Sequence, residues 1–201
     1  MKKLMMVFLI GILLIGLTAC GNETGERDVK LKFKNSVFMG DSITEGFAIN
    51  EILPQERVIA GAGATAGFTY DDMGALVEKK PDKVFIMLGS DDMLMPVDDP
   101  QELFRNDLTK LIAKIKEELP DSEIYLQSIT PVTQEALKQE PRYKRIAEYN
   151  ELLKELAGKL SVNYVDIGAL AKENPALFAE DGIHFQKEFY QLWLKILSES
   201  F

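Results

Sequence analysis

One cysteine, one histidine and one tryptophan occur among the 201 residues of this chain. A lone cysteine, Cys20, excludes an intrachain disulfide and leaves the fold to be held by its apolar core. A lone histidine, His184, means that any step needing an imidazole near neutral pH falls to that one side chain. Basic charge is also short: 23 Lys and Arg stand against 32 Asp and Glu, a formal charge of −9. Such a surface repels nucleic-acid phosphates and does not lie flat on anionic lipid. Repeats and low-complexity tracts are missing as well.

What is present begins with a leader. Lys2 and Lys3 precede an apolar run from Leu4 to Leu17, which closes in Leu17-Thr18-Ala19-Cys20. The run is short for a bilayer span, and its flanks read as a secretory signal over residues 1–19. Small residues before a lone cysteine resemble the lipobox of bacterial lipoproteins. That resemblance implies cleavage before Cys20, diacylation of its thiol, and a protein anchored on the extracytoplasmic face of the cell membrane. An ordinary cleaved signal or an uncleaved anchor is the alternative. Loss of Lys2 and Lys3 takes the charge from −9 to −11. Residues 20–34 are polar and charged, as expected of a flexible tether. Residues 35–201, about 165 in all, suffice for one hydrophobic core.

Within that domain, short apolar runs alternate with amphipathic segments. Ser36 to Met39, Arg57 to Ala60, Lys83 to Leu88, Glu123 to Ser128 and Val162 to Asp166 read as five buried strands. Helices are expected from a Thr69 cap to about Lys80, from Pro100 to Leu119, from Pro141 to about Leu160, and from Gln186 to Ser198. Alternation with short connections predicts a doubly wound α/β fold: a flavodoxin-like, three-layer sandwich around a five-stranded parallel sheet. Ligands bind such sheets at the carboxyl ends of the strands, and Gly40 to Thr44, Gly61 to Gly67 and Gly89 to Met93 each follow one.

Two of the motifs carry chemistry. Gly40-Asp41-Ser42-Ile43-Thr44 offers a serine at a strand end, and Asp181-Gly182-Ile183-His184 places a carboxylate three residues before the only histidine. A serine hydroxyl is a weak nucleophile until a base takes its proton, and a carboxylate can orient that base and stabilise its cation. Together with the Gly/Ala stretch at 61–67 and Gly89-Ser90-Asp91-Asp92, these segments resemble the GDSL-type, or SGNH, hydrolases from Ser36 to Phe201. The resemblance implies Ser42 as nucleophile, His184 as base and Asp181 as its orienting acid. It also implies an oxyanion hole from the backbone N–H groups of Ser42 and Gly63, with Gly67 the alternative glycine. Ser128-Ile129-Thr130-Pro131 and Tyr149-Asn150 look like scaffold features of the same family. No metal or organic cofactor is called for.

One position departs from the pattern. Where the family carries an asparagine that donates to the oxyanion, this chain has Asp91. An ionised carboxylate offers no donor there, and losing one such donor costs about 100- to 1,000-fold in rate. Asp91 is protonated, or the backbone donors suffice for a slow or unusual reaction, or a neighbouring group supplies the donor, or hydrolysis is lost and an acylated ligand is merely bound. The expected activity is hydrolysis of small acyl or lysophospholipid-type esters, including O-acetyl groups on surface glycans. The rival is a non-catalytic surface lipoprotein that binds an acylated glycan or lipid. A solute-capture lipoprotein is a weaker third, because no second lobe is visible. No long lid interrupts the domain; the polar stretch Gln134 to Glu140 is the one segment expected at the rim.

Overall fold

The structure, a computed structural model, describes the backbone from Ala19 to Phe201 and side chains from Arg27 onward. Residues 1–18 of the expected signal segment and the thiol of Cys20 lie outside the described residues. Helix α1 (Ala19–Lys32) leads into β1 (Ser36–Gly40) and α2 (Ser42–Ile49). Strand β2 (Val58–Ala60) is followed by α3 (Ala66–Thr69) and α4 (Met73–Lys79). Then come β3 (Lys83–Met87), α5 (Pro100–Glu118), β4 (Glu123–Gln127), α6 (Gln134–Gln139) and α7 (Ile146–Leu160). The described chain closes with β5 (Asn163–Val165), α8 (Gly168–Glu173) and α9 (Lys187–Ser198).

All strand pairs are parallel, in the order β2-β1-β3-β4-β5. This is the flavodoxin-like arrangement, with its switch point between β1 and β3. Period-two alternation decides which side chain faces which layer. Val37 and Met39 of β1 join Val84, Ile86 and Leu126 beneath α5 and α7. Phe38, Phe85 and Tyr125 face the other way, into the aromatic layer under α2, α8 and α9. Phe104, Leu108, Leu111, Ile112 and Ile115 recur at helical spacing on the buried face of α5, which starts at Pro100 behind an Asp99 cap. On α9 the buried face is Phe189, Tyr190, Trp193, Leu194 and Leu197. Fully burying one such side chain contributes about 1.5–3 kcal/mol. The Trp193 indole N–H donates to Gln127 Oε1 at 2.7 Å, so its polar edge is also satisfied.

Several local expectations change. The first helix after β2 is capped by Thr65, not Thr69, and breaks at a 3-10 turn (Tyr70–Asp72) before α4 resumes. Thr65 Oγ accepts from Phe68 N at 3.3 Å, which satisfies a free donor of the first turn. Pro141 opens a 3-10 turn, and regular helix begins only at Ile146. The polar stretch at 134–140 is mostly helix α6, capped by Thr133, and α8 was not foreseen. The segment read as a flexible tether is helical to Lys32. Val29 and Phe33, four residues apart, bring its end onto the domain, and Phe33 packs against the rings of Phe38 and Phe85. Lys32 Nζ donates to Ser198 O at 2.9 Å. The folded domain therefore begins before residue 35.

The close of β1 admits no side chain. A Cβ on Gly40 would run into Thr44 Oγ1 and the Met87 carbonyl. Gly74 in α4, by contrast, has open space around it. Gly40→Ala is expected to destabilise by about 1–3 kcal/mol, whereas Gly74→Ala should stabilise by about 0.5–1 kcal/mol. Urea unfolding of the soluble domain checks the pair, and equal stabilities would contradict the close packing at this strand end.

Candidate active site

Ser42 is the first residue of α2, directly past the strand-to-helix corner. Asp41 caps the helix: its Oδ1 accepts from Ile43 N at 2.9 Å. The serine hydroxyl thus sits at the positive end of a helix, where a developing negative charge is favoured. The structure brings His184 to it across the fold, with Nε2 2.8 Å from Ser42 Oγ. On the other side of the ring, Nδ1 lies 2.6 Å from Asp181 Oδ2. A carboxylate can only accept, so Nδ1 carries the proton and Nε2 is left to accept from the serine hydroxyl.

Asp181 is itself held. Its Oδ1 accepts from the backbone N–H groups of Ile183 and His184, each at 2.9 Å. Burial acts to raise its pKa, but the bonds from His184 and the two backbone donors bring it below the ordinary aspartate value. The loop turns at Gly182, whose φ of 71° is left-handed and whose missing side chain makes room for Thr133. Thr133 N donates back to Gly182 O at 2.9 Å, tying this loop to the β4–α6 connection. Ser42, distant in sequence from Asp181 and His184, forms with them one continuous hydrogen-bonded line.

Behind Ser42 lies a set of acids. Asp41 Oδ2 accepts from the Ser90 hydroxyl, joining the end of β1 to the loop after β3. Burial raises the Asp41 pKa to about 6, partly offset by the Ser90 bond. Asp92 Oδ1 accepts from Ala66 N at 2.9 Å, so the same loop also fixes the start of α3. Burial lifts Asp92 to about 7, and its Oδ2 has no hydrogen-bond partner among the described residues. Asp91, between them, is half-buried; burial raises its pKa, and the nearby His184 lowers it. Sequence reading missed the roles of Asp41, Ser90 and Asp92. The only signal for them was their closeness to Gly40, which ends β1, and to Gly89, two residues past β3.

The two candidate glycines differ. Gly63 lies in the turn after β2 with φ 76°, its Cβ position open. Gly61 N donates to Gly40 O at 3.4 Å, which sets this turn beside the Asp41–Ser42 corner. Gly67 is inside α3, where an added Cβ would sit 2.9 Å from Asp107 Oδ2. Asn150 clamps the loop after β4: its Oδ1 accepts from Ile129 N at 2.7 Å and its Nδ2 donates to Ile129 O at 2.9 Å. Tyr149 is buried against Phe104. Both are scaffold contacts. Among the described residues no group of His, Cys, Asp and Glu has the arrangement of a metal site.

Residues 38–192 match the GDSL-like Lipase/Acylhydrolase family, and the chain belongs to it. Solved structures share the fold. A GDSL-like lipase from Bacteroides thetaiotaomicron superposes with a TM-score of 0.67 at 17% identity, covering 90% of this chain and 95% of that one. An acetylxylan esterase from Geobacillus stearothermophilus gives 0.61 at 20% identity, covering 82% and 92%. The acetyl xylan esterase AlAXEase gives 0.62 at 17% identity, covering 82% and 98%. No curated protein matches the sequence.

The buried acids make stability depend on pH. Asp41 and Asp92 hold their protons to about 6 and about 7 when folded, against about 3.9 for an unfolded aspartate. Between those limits the native state binds more protons, so stability falls as pH rises through the window. Asp92→Asn is expected to flatten that fall, measured by urea unfolding from pH 5 to pH 8. A slope as steep as that of the wild type would mean that Asp92 is already ionised at the acid end.

Proposed function

We propose that this chain is a serine hydrolase of carboxylic esters. The observation that carries the reading is the line from Ser42 Oγ through His184 to Asp181, at 2.8 and 2.6 Å. Ser42 Oγ attacks the ester carbonyl carbon while His184 Nε2 takes its proton. Asp181 stays ionised and stabilises the imidazolium. The tetrahedral oxyanion is met by backbone N–H groups of Ser42 and Gly63. His184 then returns the proton to the departing alcohol, and water releases the acyl group from Ser42 by the same route in reverse.

Membership in an acylhydrolase family and a fold shared with acetylxylan esterases support small acyl esters, such as O-acetyl groups on glycans, as substrates. Lysophospholipid-type esters are a second candidate. The leader and Cys20 support a lipoprotein that meets these esters outside the cell membrane. One observation favours a different reading: Asp91 stands where the family has a donor, which suits a site that binds an acylated ligand without cleaving it.

Hydrolysis of p-nitrophenyl acetate by the soluble domain, with Ser42→Ala beside it, decides between the two. Activity should vanish with Ser42, and Asp181→Asn should lower kcat on the order of 10³- to 10⁴-fold. Equal inertness of wild type and Ser42→Ala, on this ester and on acetylated glycans, would overturn the neutral-ester hydrolase and favour the binding-only protein. Asp91→Asn should raise neutral-ester hydrolysis at least about 10-fold at pH 7.5 by replacing a repulsive charge with a donor. Because the Asp91 pKa is raised, its charge is lost earlier on acidification than that of an ordinary aspartate, so the gain should shrink as the pH is lowered. A gain independent of pH would detach the effect from the ionisation of Asp91.

A further inference from the structure

Asp91 has charged neighbours but no partner. Among the described residues no hydrogen bond or ion pair reaches its carboxyl group, although the group is half withdrawn from water. The titratable groups within electrostatic reach are Asp41, Asp92, Tyr143 and His184. Of these only His184 can become positive. Arg142, whose guanidinium reaches the same loop at Leu94 O (2.9 Å), is paired with Glu140 at 2.5 Å. Asp41 and Asp92 each accept from a backbone N–H. Asp91 is the one acid of this cluster whose carboxyl group accepts no hydrogen bond, and it lies within electrostatic reach of His184.

A half-buried, unpaired carboxylate favours a cation brought by a ligand. Where that cation sits on the substrate follows from the position of Asp91. In the family pattern this residue stands beside the carbonyl oxygen of the bound ester. A positive group carried on the carbon next to that carbonyl, on the acyl side, is close enough to reach it. An amino group on the α-carbon meets the requirement. Its ammonium would lie between the Asp91 carboxylate and the oxygen that becomes negative during attack, turning a repulsive pair into a bridged one.

Resting on the esterase reading, we propose that the substrate class of this site is the aminoacyl ester, with Asp91 binding the α-ammonium. The chemistry balances without a co-reactant. Ser42 Oγ bonds to the aminoacyl carbonyl, its proton passes through His184 to the leaving alcohol, and water releases the free amino acid. A substrate of this kind supplies the positive charge that the oxyanion site of this chain lacks. Small neutral acyl esters remain turned over, but against the repulsion of Asp91.

The test compares benzyl esters of L- and D-alanine with benzyl propionate, which differs by the ammonium. At pH 6.5 an α-amino group is protonated, since such groups titrate at about 7.7–8.0. The ratio of kcat/KM for alanine ester over propionate ester is measured in wild type and in Asp91→Asn, so that intrinsic reactivity cancels. The ratio is expected to fall at least about 10-fold in Asp91→Asn, through loss of the alanine ester and gain of the propionate ester. An unchanged or increased ratio, with Ser42-dependent hydrolysis present, overturns the substrate assignment and leaves the esterase intact. Where no hydrolysis is seen, calorimetric binding of alanine benzyl ester to Ser42→Ala, with and without Asp91→Asn, decides the same question. Binding that weakens with the asparagine supports the assignment, and equal binding ends it.

Discussion

The 2.8 Å contact between Ser42 Oγ and His184 Nε2 joins residues 142 positions apart, and the packing between α2 and α9 is what makes it. α2 carries Ser42; α9 begins three residues after His184. The Tyr190 hydroxyl of α9 donates to Ile43 O at 3.0 Å, one residue from the serine. Gly46 leaves room for that ring, since a Cβ there would collide with the Tyr190 hydroxyl. Phe47 meets Trp193 at 4.7 Å between ring centroids, and Phe185, adjacent to the histidine, stacks on Phe189 at 3.7 Å. Aromatic contacts of this kind add about 0.5–1.5 kcal/mol each beyond their burial. The chemistry of the polar line is therefore set by an apolar interface below it.

A similar dependence governs the loop after β3. Ser90 and Asp92 link it to the cap of α2, which bears Ser42, and to the start of α3, which follows the turn that bears Gly63. The acids sit in a poorly solvated pocket, where burial pushes both Asp41 and Asp92 towards neutrality. Backbone donors oppose this at each one. A fold that buries two such groups with raised pKa values, Asp92 close to neutral pH, gives up stability for a rigid loop. Rigidity here matters, because the oxyanion donors act only if they are already aimed when charge develops.

Much of this was legible in the sequence, and the limits have physical causes. The five strands stood out because a parallel strand covered on both faces is an unbroken apolar run, as in Val-Phe-Ile-Met at 84–87. Long helices with one apolar face, such as α5 and α9, were equally plain. Short elements were not. α3 and α8 have too few residues for periodicity to emerge, and α3 is decided by a threonine cap indistinguishable in sequence from Thr69 four residues later. Residues 20–34 misled for another reason: their composition is polar, and only Val29 and Phe33 near the end show that the chain docks. Ser42, Asp181 and His184 could be named from spacing and scarcity. Asp41, Ser90 and Asp92 could not, because their partners are set by the β1–β3 pairing and not by any local pattern.

Asp91 is set apart from the other acids by what surrounds it. Amide and carboxylate have nearly the same shape, so the exchange leaves packing alone and alters only charge and hydrogen-bond direction. In a fully buried position the change would be opposed by desolvation unless a donor were at hand, as it is for Asp41 and Asp92. At the half-exposed mouth of the site the fold tolerates it, and the consequence passes to whatever is bound there. On the proposed mechanism a neutral ester would meet an added repulsion as its carbonyl oxygen becomes negative. An ester with a positive group beside that oxygen would meet the reverse, since the charge that hinders one transition state anchors the other. The selectivity proposed for this site thus needs no additional pocket: on the proposed mechanism it follows from one carboxylate beside the oxygen on which attack by Ser42 would build negative charge.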